Sequence, residues 1–310
     1  PAIERVRYLP AGRSETRPLM AESGQSDLAY GLDPASLSRL RRRSQVQVEV
    51  VTVPRTLIVK LNAGWPTLQD VRVRRALSLC IDRAGIAKAL LRDAELAATQ
   101  LFPPGLARWH NPGLAPLTFN LDAAGALLAQ AGWQRGDNGM LKDTQGRPLR
   151  LGLRTFPDRP ELPIIASALQ EQWRQAGIEV QVSVGNSGEI PLGHRDGTLQ
   201  LGLVARNYAT VPDPTGTLLQ DFGANGGDWG AMGWHSDALL SALGALSQGV
   251  ASTRQAAALR AQVTQVLQAE MPVIPITWYR QQVAVSNRVG GASLDPLERS
   301  YRLTRMEWRS

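Results

Sequence analysis

The chain has 310 residues, of which 43% are hydrophobic and 20% are charged, and it contains a single cysteine. This length and apolar fraction allow a substantial core and predict about two domains. The composition excludes a largely disordered chain, and no apolar run reaches the length of about 18 residues that a membrane-spanning helix needs. A lone cysteine excludes an intrachain disulfide and any two-cysteine metal or redox motif.

The net charge of +7 is compatible with a nucleic acid, an anionic ligand or simple solubility. The one clustered run of arginines, at 39–43, has no interleaved aromatic residue. We therefore interpret it as a solvated helix end rather than a nucleic-acid surface. The first residues lack the apolar stretch of a signal peptide, so we expect that any such peptide has been removed or lies outside this chain.

Alternating apolar residues predict a β-rich beginning, because period two is typical of half-buried strands. The predicted elements are a strand at Val6 and Tyr8, a helix over 15–23, and strands over 27–30, 46–50 and 59–62.

From residue 65 the pattern becomes helical. Asp70 is placed to cap a helix over 70–81, since a carboxylate accepts hydrogen bonds from unpaired N–H groups. Val73, Ala76, Leu77 and Cys80 then fall on one face, which predicts that Cys80 is a buried structural thiol. A second helix is predicted over 83–91.

The remaining chain alternates between helices and strands, which favours an α/β fold. Asp122 is predicted to cap a helix over 123–131, and Gly132 to end it in the left-handed conformation. The later elements are strands over 149–153, 178–184, 199–204 and 272–276 and helices over 164–176 and 253–270.

Several of these segments resemble motifs of one protein family. Residues 62–83 read N-A-G-W-P-T-L-Q-D-V-R-V-R-R-A-L-S-L-C-I-D-R. This string is similar to a signature of the extracytoplasmic solute-binding proteins of ABC importers, in the family that carries peptides, nickel and opine-type chelates. Further motifs of that family match, in the same order, at 121–133, 137–151, 168–180 and 266–276. Each motif alone is weak, but their shared order makes the resemblance specific.

The resemblance implies an α/β, bilobal periplasmic-binding-protein-like fold of type II, in the large peptide- and nickel-binding cluster. One complete large lobe and part of the other are expected here, because members of the family are longer. The implied domains are a partial first lobe with hinge strands (1–61), the large ligand-binding lobe (62–276), and a C-terminal return to the first lobe (277–310).

Signatures of enzymes are scarce. The chain has no G-x-S-x-G, H-E-x-x-H, P-loop or G-x-G-x-x-G motif, which predicts that it is not an enzyme. Its histidines, His110, His194 and His235, have a spacing unlike any common zinc signature. We therefore expect no protein-only metal site and no resident cofactor.

The best candidate for ligand binding is the loop 205–214, because open α/β sheets bind ligands where a strand gives way to a helix. In it, Arg206 offers a planar fork suited to a carboxylate, and Tyr208 a flat ring with a hydroxyl. Asn207 and Asp213 complete the candidate set. Alternatively, Arg206 pairs with a local aspartate and Asp213 belongs only to a turn.

The resemblance implies that this loop borders the ligand. Peptide carriers have an aspartate there for the peptide's α-amino group, and the matching residue here is Thr210. Nickel-chelate carriers resemble the loop better, with an aromatic residue five positions before the aspartate, as Tyr208 stands to Asp213. The second aromatic residue of those carriers corresponds to Pro212 in this chain. The histidine that some of them have corresponds to a position near Gly226, and His235 is a candidate to replace it.

The segment 225–235 is the second candidate. Trp229 and Trp234 lie in a glycine-rich stretch that ends at His235. The two rings either wall an apolar or cationic ligand or pack on the lobe surface.

We therefore predict a periplasmic or lipid-anchored binding component of an ABC importer. It would capture a nickel or other metal chelate, an opine-type metallophore or a short peptide and deliver it to the membrane permease. It is expected to act as a monomer, without nucleic acid. The alternatives are a cytoplasmic solute-sensing domain of a transcriptional regulator and an enzyme on the same scaffold, and the latter is disfavoured by the missing catalytic motifs.

Overall fold

The computed structural model describes residues 2–309. Its helices are α1 (Thr16–Glu22), α2 (Pro34–Leu40), α3 (Val71–Leu79), α4 (Arg83–Leu90), α5 (Leu121–Gln130), α6 (Glu161–Gln175), α7 (Glu189–Arg195), α8 (Thr215–Phe222), α9 (Asp237–Gln248) and α10 (Thr253–Glu270). Its strands are β1 (Leu28–Tyr30), β2 (Val46–Leu61), β3 (Gln134–Arg135), β4 (Leu141–Lys142), β5 (Arg150–Thr155), β6 (Glu179–Val184), β7 (Leu201–Asn207), β8 (Val273–Ser286), β9 (Val289–Gly290) and β10 (Glu307–Trp308).

The predicted α/β class is confirmed by a mixed six-stranded sheet in the order β1-β8-β2-β7-β5-β6. Strands β5, β6 and β7 are parallel to one another, whereas β2 is antiparallel to both β7 and β8. Two short hairpin-like pairs, β3 with β4 and β9 with β10, lie outside this sheet.

Strand β2 corrects the prediction of two separate strands, because residues 46–61 form one continuous strand. Pro54 falls in its middle, which explains why the sequence suggested a break. Its missing N–H is tolerated because the register with β8 shifts between Val53 and Thr56 at this point. Strand β8 likewise extends beyond the predicted 272–276 and ends at Ser286.

The N-terminal predictions need two corrections. No strand forms at Val6 and Tyr8, whose side chains are 45% and 66% exposed and so lack the burial that would reward pairing. Helix α2 was not predicted, although Asp33 caps it by accepting a hydrogen bond from Ser36 N at 2.9 Å. The arginine run 39–43 spans the end of α2, and residues 41–43 beyond the helix are exposed, as expected of a solvated helix end.

Helix α3 confirms the predicted cap and the predicted buried face. The Asp70 carboxylate accepts a hydrogen bond from Arg72 N at 2.8 Å. Val73, Ala76, Leu77 and Cys80 are all buried. Burial raises the pKa of the Cys80 thiol to about 12, so the thiol stays protonated and unreactive.

Two helix starts differ from the prediction. Asn120, not Asp122, caps α5 by accepting from Ala123 N at 2.9 Å, and Asp122 lies in the first turn, where a negative charge suits the helix dipole. Helix α6 begins at Glu161 rather than at 164. The predicted left-handed Gly132 is confirmed, with a φ of 91°.

The buried side chains form one large cluster drawn from residues 57–276 and smaller clusters that combine residues 21–46 and 283–306 with parts of β8. The division into lobes at 61 and 276 stays a prediction. None of the helices within residues 2–309 is both long and apolar enough to cross a membrane.

Candidate functional site

The candidate loop lies at the carboxyl edge of the parallel strands. Because β5, β6 and β7 run in the same direction, the segments that follow them emerge toward the same edge of the sheet. Residues 208–214 leave β7 there and lead into α8. This is the position where open α/β sheets bind ligands.

Arg206 and Asn207 are adjacent in the chain but belong to opposite faces of the sheet. In the register with β2, Arg206 is paired with Thr56 and Asn207 with Arg55. Successive side chains of a strand point to opposite faces, so each residue joins a different polar cluster. The structure therefore separates two of the predicted site residues.

On the first face, Arg206 forms a two-pronged ion pair with Asp221 of α8. Its Nε and Nη2 donate to the two carboxylate oxygens at 2.6 and 2.7 Å. The Asp221 side chain is 2% exposed and the Arg206 side chain 19% exposed. Burial raises the pKa of the Asp221 carboxyl, and the hydrogen bonds from Arg206 oppose that rise. The pairing with a local aspartate, weighed above as the alternative, is thus present.

Lys60 of β2 belongs to the same face and is fully buried. Its Nζ donates to the carbonyl oxygens of Gly227 and Asp228 at 2.6 and 2.9 Å and contacts His194 Nδ1. Burial lowers the pKa of Lys60 to about 7, with Asp228 and Asp221 acting in the opposite direction. Lys60 thereby fixes the backbone of the second candidate segment against the sheet.

Tyr208 and Asp213 have mainly structural contacts. Tyr208 is fully buried, its ring lying edge-on to Phe102 with centroids 5.4 Å apart. A ligand would reach the Tyr208 ring only if the side chains that cover this ring moved away. The predicted role of Tyr208 in ligand binding stays a prediction. Asp213 is half exposed and accepts a hydrogen bond from Thr215 N at 2.8 Å, which supports the start of α8.

The residues of the second segment differ in how open they are. Trp229 is half-buried, and its ring lies edge-on to that of Phe156, the residue directly after β5, with ring centres 6.3 Å apart. Trp234 donates from Nε1 to Glu270 at 2.7 Å, which ties it to α10. The His235 side chain is 59% exposed, with Nε2 at 3.5 Å from Asp237. Of these three, His235 is the most accessible to a ligand.

On the opposite face, Asn207 and Arg55 both contact Glu298 from the C-terminal segment. Asn207 Nδ2 donates to Glu298 Oε2 at 2.7 Å, and Arg55 Nη2 contacts the same oxygen. The Arg55 guanidinium also lies 5.0 Å from the centre of the Tyr279 ring, and that of Arg159 lies 5.4 Å from it. Glu161 lies close enough to Arg159 and Arg55 for their charges to lower the pKa of its carboxyl against the rise caused by burial. We call this group of residues the Arg55 cluster: Arg55, Arg159, Glu161, Asn207, Tyr279 and Glu298.

The Arg55 cluster is incompletely hydrogen-bonded. Arg55 is 7% exposed, and its Nε and Nη1 have no partner among residues 2–309. Glu161 is also 7% exposed, and its Oε1 has none there either. Burial raises the pKa of the Glu161 carboxyl. The pKa of Arg55 is lowered, mainly by burial and to a smaller extent by the charge of Arg159. Buried polar atoms are rarely left unpaired, so this cluster stands out chemically.

Sequence reasoning did not single out Lys60, Asp221 or most of the Arg55 cluster. Lys60 could have been found, because a lysine inside the apolar strand segment L-I-V-K-L requires buried partners. Asp221 and Glu298 gave no comparable signal, because their partners are 15 and 243 residues away.

No group of three or more histidine, cysteine, aspartate or glutamate side chains suited to a metal ion occurs within residues 2–309. Asp221 and Glu298 are instead paired with Arg206 and Arg55.

A model of the family described as bacterial extracellular solute-binding proteins, family 5 middle, matches residues 1–229. Among curated proteins, the chain is 25% identical over 218 residues to the nickel-binding periplasmic protein of Escherichia coli K12, which covers 69% of this chain and 41% of that protein. It is 25% identical over 179 residues to the dipeptide-binding protein of the same organism, covering 56% and 32%. The chain thus spans less than half the length of these relatives.

Solved structures share the fold. The oligopeptide-binding protein AppA of Bacillus subtilis, in complex with a nonapeptide, superposes with a TM-score of 0.84 at 15% identity, over 97% of this chain and 59% of that one. NikA of Brucella suis, in complex with Fe(III)-EDTA, also gives 0.84, at 21% identity over 96% and 60%. The expected periplasmic-binding-protein-like architecture is confirmed, with the chain matching about three fifths of each neighbour.

Proposed function

The chain belongs to the bacterial extracellular solute-binding proteins of family 5, and on that premise we propose that it is part of the substrate-binding component of an ABC importer. In this role it captures a small ligand between two lobes and delivers it to the permease subunits in the membrane. The lobes close around the ligand by a hinge motion, and no covalent chemistry is required. The chain is accordingly not an enzyme, and a metal ion would arrive as part of the cargo.

The observation that carries this proposal is the concentration of polar groups at the end of β7. Arg206 and Asn207 leave the strand on opposite faces, and each belongs to a buried network of charged residues. Arg206 ties the end of β7 to α8, and Lys60 ties the segment 225–235 to the sheet through the carbonyl groups of Gly227 and Asp228. Binding loops on a rigid scaffold are typical of small-molecule sites.

The ligand classes are a nickel or other metal chelate, an opine-type metallophore and a short peptide. Thr210 is exposed and uncharged, so it offers no carboxylate to a peptide's α-amino group. His235 is exposed and offers an imidazole, a good ligand for nickel. Both residues favour a metal chelate over a plain dipeptide.

Within the predicted set, we propose that Trp229, Trp234 and His235 face the ligand. Arg206, Tyr208 and Asp213 form the base of the site beneath it, and Asn207, on the opposite face of the sheet, anchors the end of β7 through Glu298. The lobes divide near residues 61 and 276. We further propose an extracytoplasmic location, as a periplasmic or lipid-anchored monomer, because the relative from Escherichia coli is a nickel-binding periplasmic protein.

Uptake by cells tests this function. A strain in which the full-length gene is deleted should lose accumulation of either radioactive nickel supplied with histidine or a labelled dipeptide, and the intact gene should restore it. Unchanged accumulation of both solutes in the deletion strain would contradict the proposal.

A further inference from the structure

The amino group of Lys60 has three polar partners, and one of them is an imidazole. Its Nζ donates to the carbonyl oxygens of Gly227 and Asp228 at 2.6 and 2.9 Å and contacts Nδ1 of His194 on α7. An ammonium group has three N–H donors and no acceptor, so a charged Lys60 needs an unprotonated Nδ1 at His194. The charged lysine therefore requires a neutral histidine beside it.

The contact between Lys60 and His194 survives the loss of a proton but not the gain of one. When Lys60 is neutral, its nitrogen lone pair can accept a hydrogen bond from Nδ1–H of the other imidazole tautomer. When His194 is protonated beside a charged Lys60, both ring nitrogens carry hydrogen and two cations face each other. The pair thus attracts when it carries no net charge or one positive charge, and it repels when it carries two.

The two side chains support a tight turn at residues 226–230. Within this turn, Gly227 N donates to Ala231 O at 3.1 Å, and Gly230 N donates to Gly227 O at 2.9 Å. Gly226 has a φ of +68°, and a Cβ at this position would lie 3.7 Å from Cε1 of His194. The imidazole therefore packs against the same turn whose carbonyl groups Lys60 holds.

The rest of the segment is tied down by bonds that do not titrate. Ala231 N donates to the backbone oxygen of Asp221 at 2.8 Å, and Ala63 N donates to Met232 O at 2.8 Å. A second proton on the pair consequently acts on the turn at 226–230, which carries Trp229, and leaves the tethers at 231 and 232 in place.

The surrounding charges act on the pair from several elements. They belong to Arg195 of α7, Arg206 of β7, Asp221 of α8 and Asp228 of the segment, whereas β8 places the apolar Val273 opposite Lys60. Burial lowers the pKa of His194, and the charges of Lys60 and Arg195 lower it further against the opposing charge of Asp228. Because the folded value lies below the unfolded one, the stability contributed by this neutral imidazole is lost as the pH falls below about 6.5.

We propose that Lys60 and His194 form an acid-sensitive anchor for residues 226–230, which opens when His194 takes up a proton while Lys60 is charged. The inference rests on the proposed function and deepens it, because Trp229 in this turn is among the residues proposed to face the ligand. Opening of the anchor would then lower the affinity for the cargo in acid.

Hydrogen–deuterium exchange of the full-length protein, without added solute, tests the anchor. Exchange is followed by mass spectrometry at about pH 7.5 and about pH 5.5, on either side of the ordinary histidine pKa of about 6.5, with labelling times scaled to the intrinsic rate at each pH. Peptides that contain residues 226–230 report on the turn, and peptides of β5 serve as the internal reference for global unfolding.

Three variants separate the contributions. In His194→Asn, the side-chain oxygen replaces Nδ1 as an acceptor for Lys60 and cannot take up a proton. Lys60→Met removes the amine, and it provides a second reading should the asparagine variant fold poorly. His110→Asn is the matched control, because His110 is also half-buried but has its Nδ1 at 2.9 Å from the carbonyl oxygen of Phe102.

In the unaltered protein and in His110→Asn, we expect the turn to exchange about tenfold faster at the lower pH, the scale of one lost charge-assisted hydrogen bond. The difference between the two pH values should vanish in the other variants, with slow exchange in His194→Asn and fast exchange in Lys60→Met. Equal exchange at both pH values in the unaltered protein, or an equal acceleration in β5, would overturn the proposal.

An acceleration that persists in His194→Asn or in Lys60→Met would also overturn it. The trigger would then be Asp221, whose carboxyl has a pKa raised by burial. Because exchange is measured without solute or permease, failure of this test is distinguishable from failure of the proposed transport function.

Discussion

Arg206 of β7 is bound by both carboxylate oxygens of Asp221 of α8, at 2.6 and 2.7 Å. The pair links the last residues of a central strand to the helix that follows the candidate loop. Since Asp221 is almost completely buried, its charge depends on Arg206 for compensation. The guanidinium is therefore part of the scaffold of the site before it is available to any ligand.

Arg206→Ala is accordingly expected to destabilise the fold. Removing one partner of a buried pair leaves an uncompensated charge, at a cost of about 3 kcal/mol in the free energy of unfolding. Urea denaturation of the full-length protein measures this. The double variant Arg206→Met with Asp221→Leu should recover most of the loss, because it removes both charges. Arg147→Ala, in an exposed pair with Asp143, is the control. A normal unfolding curve combined with lost ligand binding would instead identify Arg206 as a direct ligand contact.

Lys60 predicts a specific dependence of stability on pH. Its pKa is about 7 in the folded chain and 10.5 when unperturbed. Between these values the unfolded chain binds more protons at this residue than the folded chain, so the stability contributed by Lys60 rises with pH in that window and is lowest below pH 7. The contribution to the slope approaches about 1.4 kcal/mol per pH unit.

Comparison with the Lys60→Met variant isolates the contribution of Lys60 to the pH dependence of stability. The free energy of unfolding of the unaltered protein minus that of the variant should increase as the pH is raised from 7 to 10. Parallel stability curves for the two proteins would show that Lys60 keeps an ordinary pKa in the folded state.

The Cys80 thiol should resist alkylation. It is fully buried, and burial raises its pKa to about 12, so almost no thiolate exists at neutral pH. Mass spectrometry after treatment with iodoacetamide should detect no adduct at Cys80 in the folded protein and complete labelling in guanidinium chloride. Rapid labelling without denaturant would contradict the buried position.

His235→Ala should separate ligand binding from stability. The side chain is 59% exposed, so its loss should leave the unfolding curve unchanged. If the cargo is a metal chelate that uses the imidazole, affinity for nickel supplied with histidine should fall about tenfold, the cost of a strong polar contact. Isothermal titration calorimetry measures this, with Gln248→Ala on α9 as an exposed control. Unchanged affinity would exclude His235 from a nickel site.

The sequence predicted local features well where one short segment determines them. The Asp70 cap, the buried face of α3 and the left-handed Gly132 all depend on residues within a few positions of one another. Strand β2 was divided in the prediction because Pro54 is a strong local signal, whereas the pairing with β8 that tolerates it is a long-range feature. Distant partners thus explain the main error in the fold.

The same limit applies to the candidate site. The sequence located a loop after a strand, but β7 runs to Asn207, so Arg206 and Asn207 lie in the strand and not in the predicted loop 205–214. The resemblance to a family predicted the general role of the loop. The sequence did not reveal that Arg206 and Asn207 face opposite sides of the sheet, because that follows from the register with β2. Glu298 approaches Arg55 only in the folded chain, so no pattern along the sequence indicates their contact.

Native mass spectrometry with elemental analysis, on the full-length protein purified without refolding, tests the central claim most directly. We expect a co-purified small molecule, either a nickel or other metal chelate or a short peptide, and we expect acid release of that molecule to restore the mass of the protein alone. A protein that carries no such molecule, and that binds neither nickel with histidine nor a dipeptide when these are added, would contradict the assignment as a solute-binding protein for these ligands.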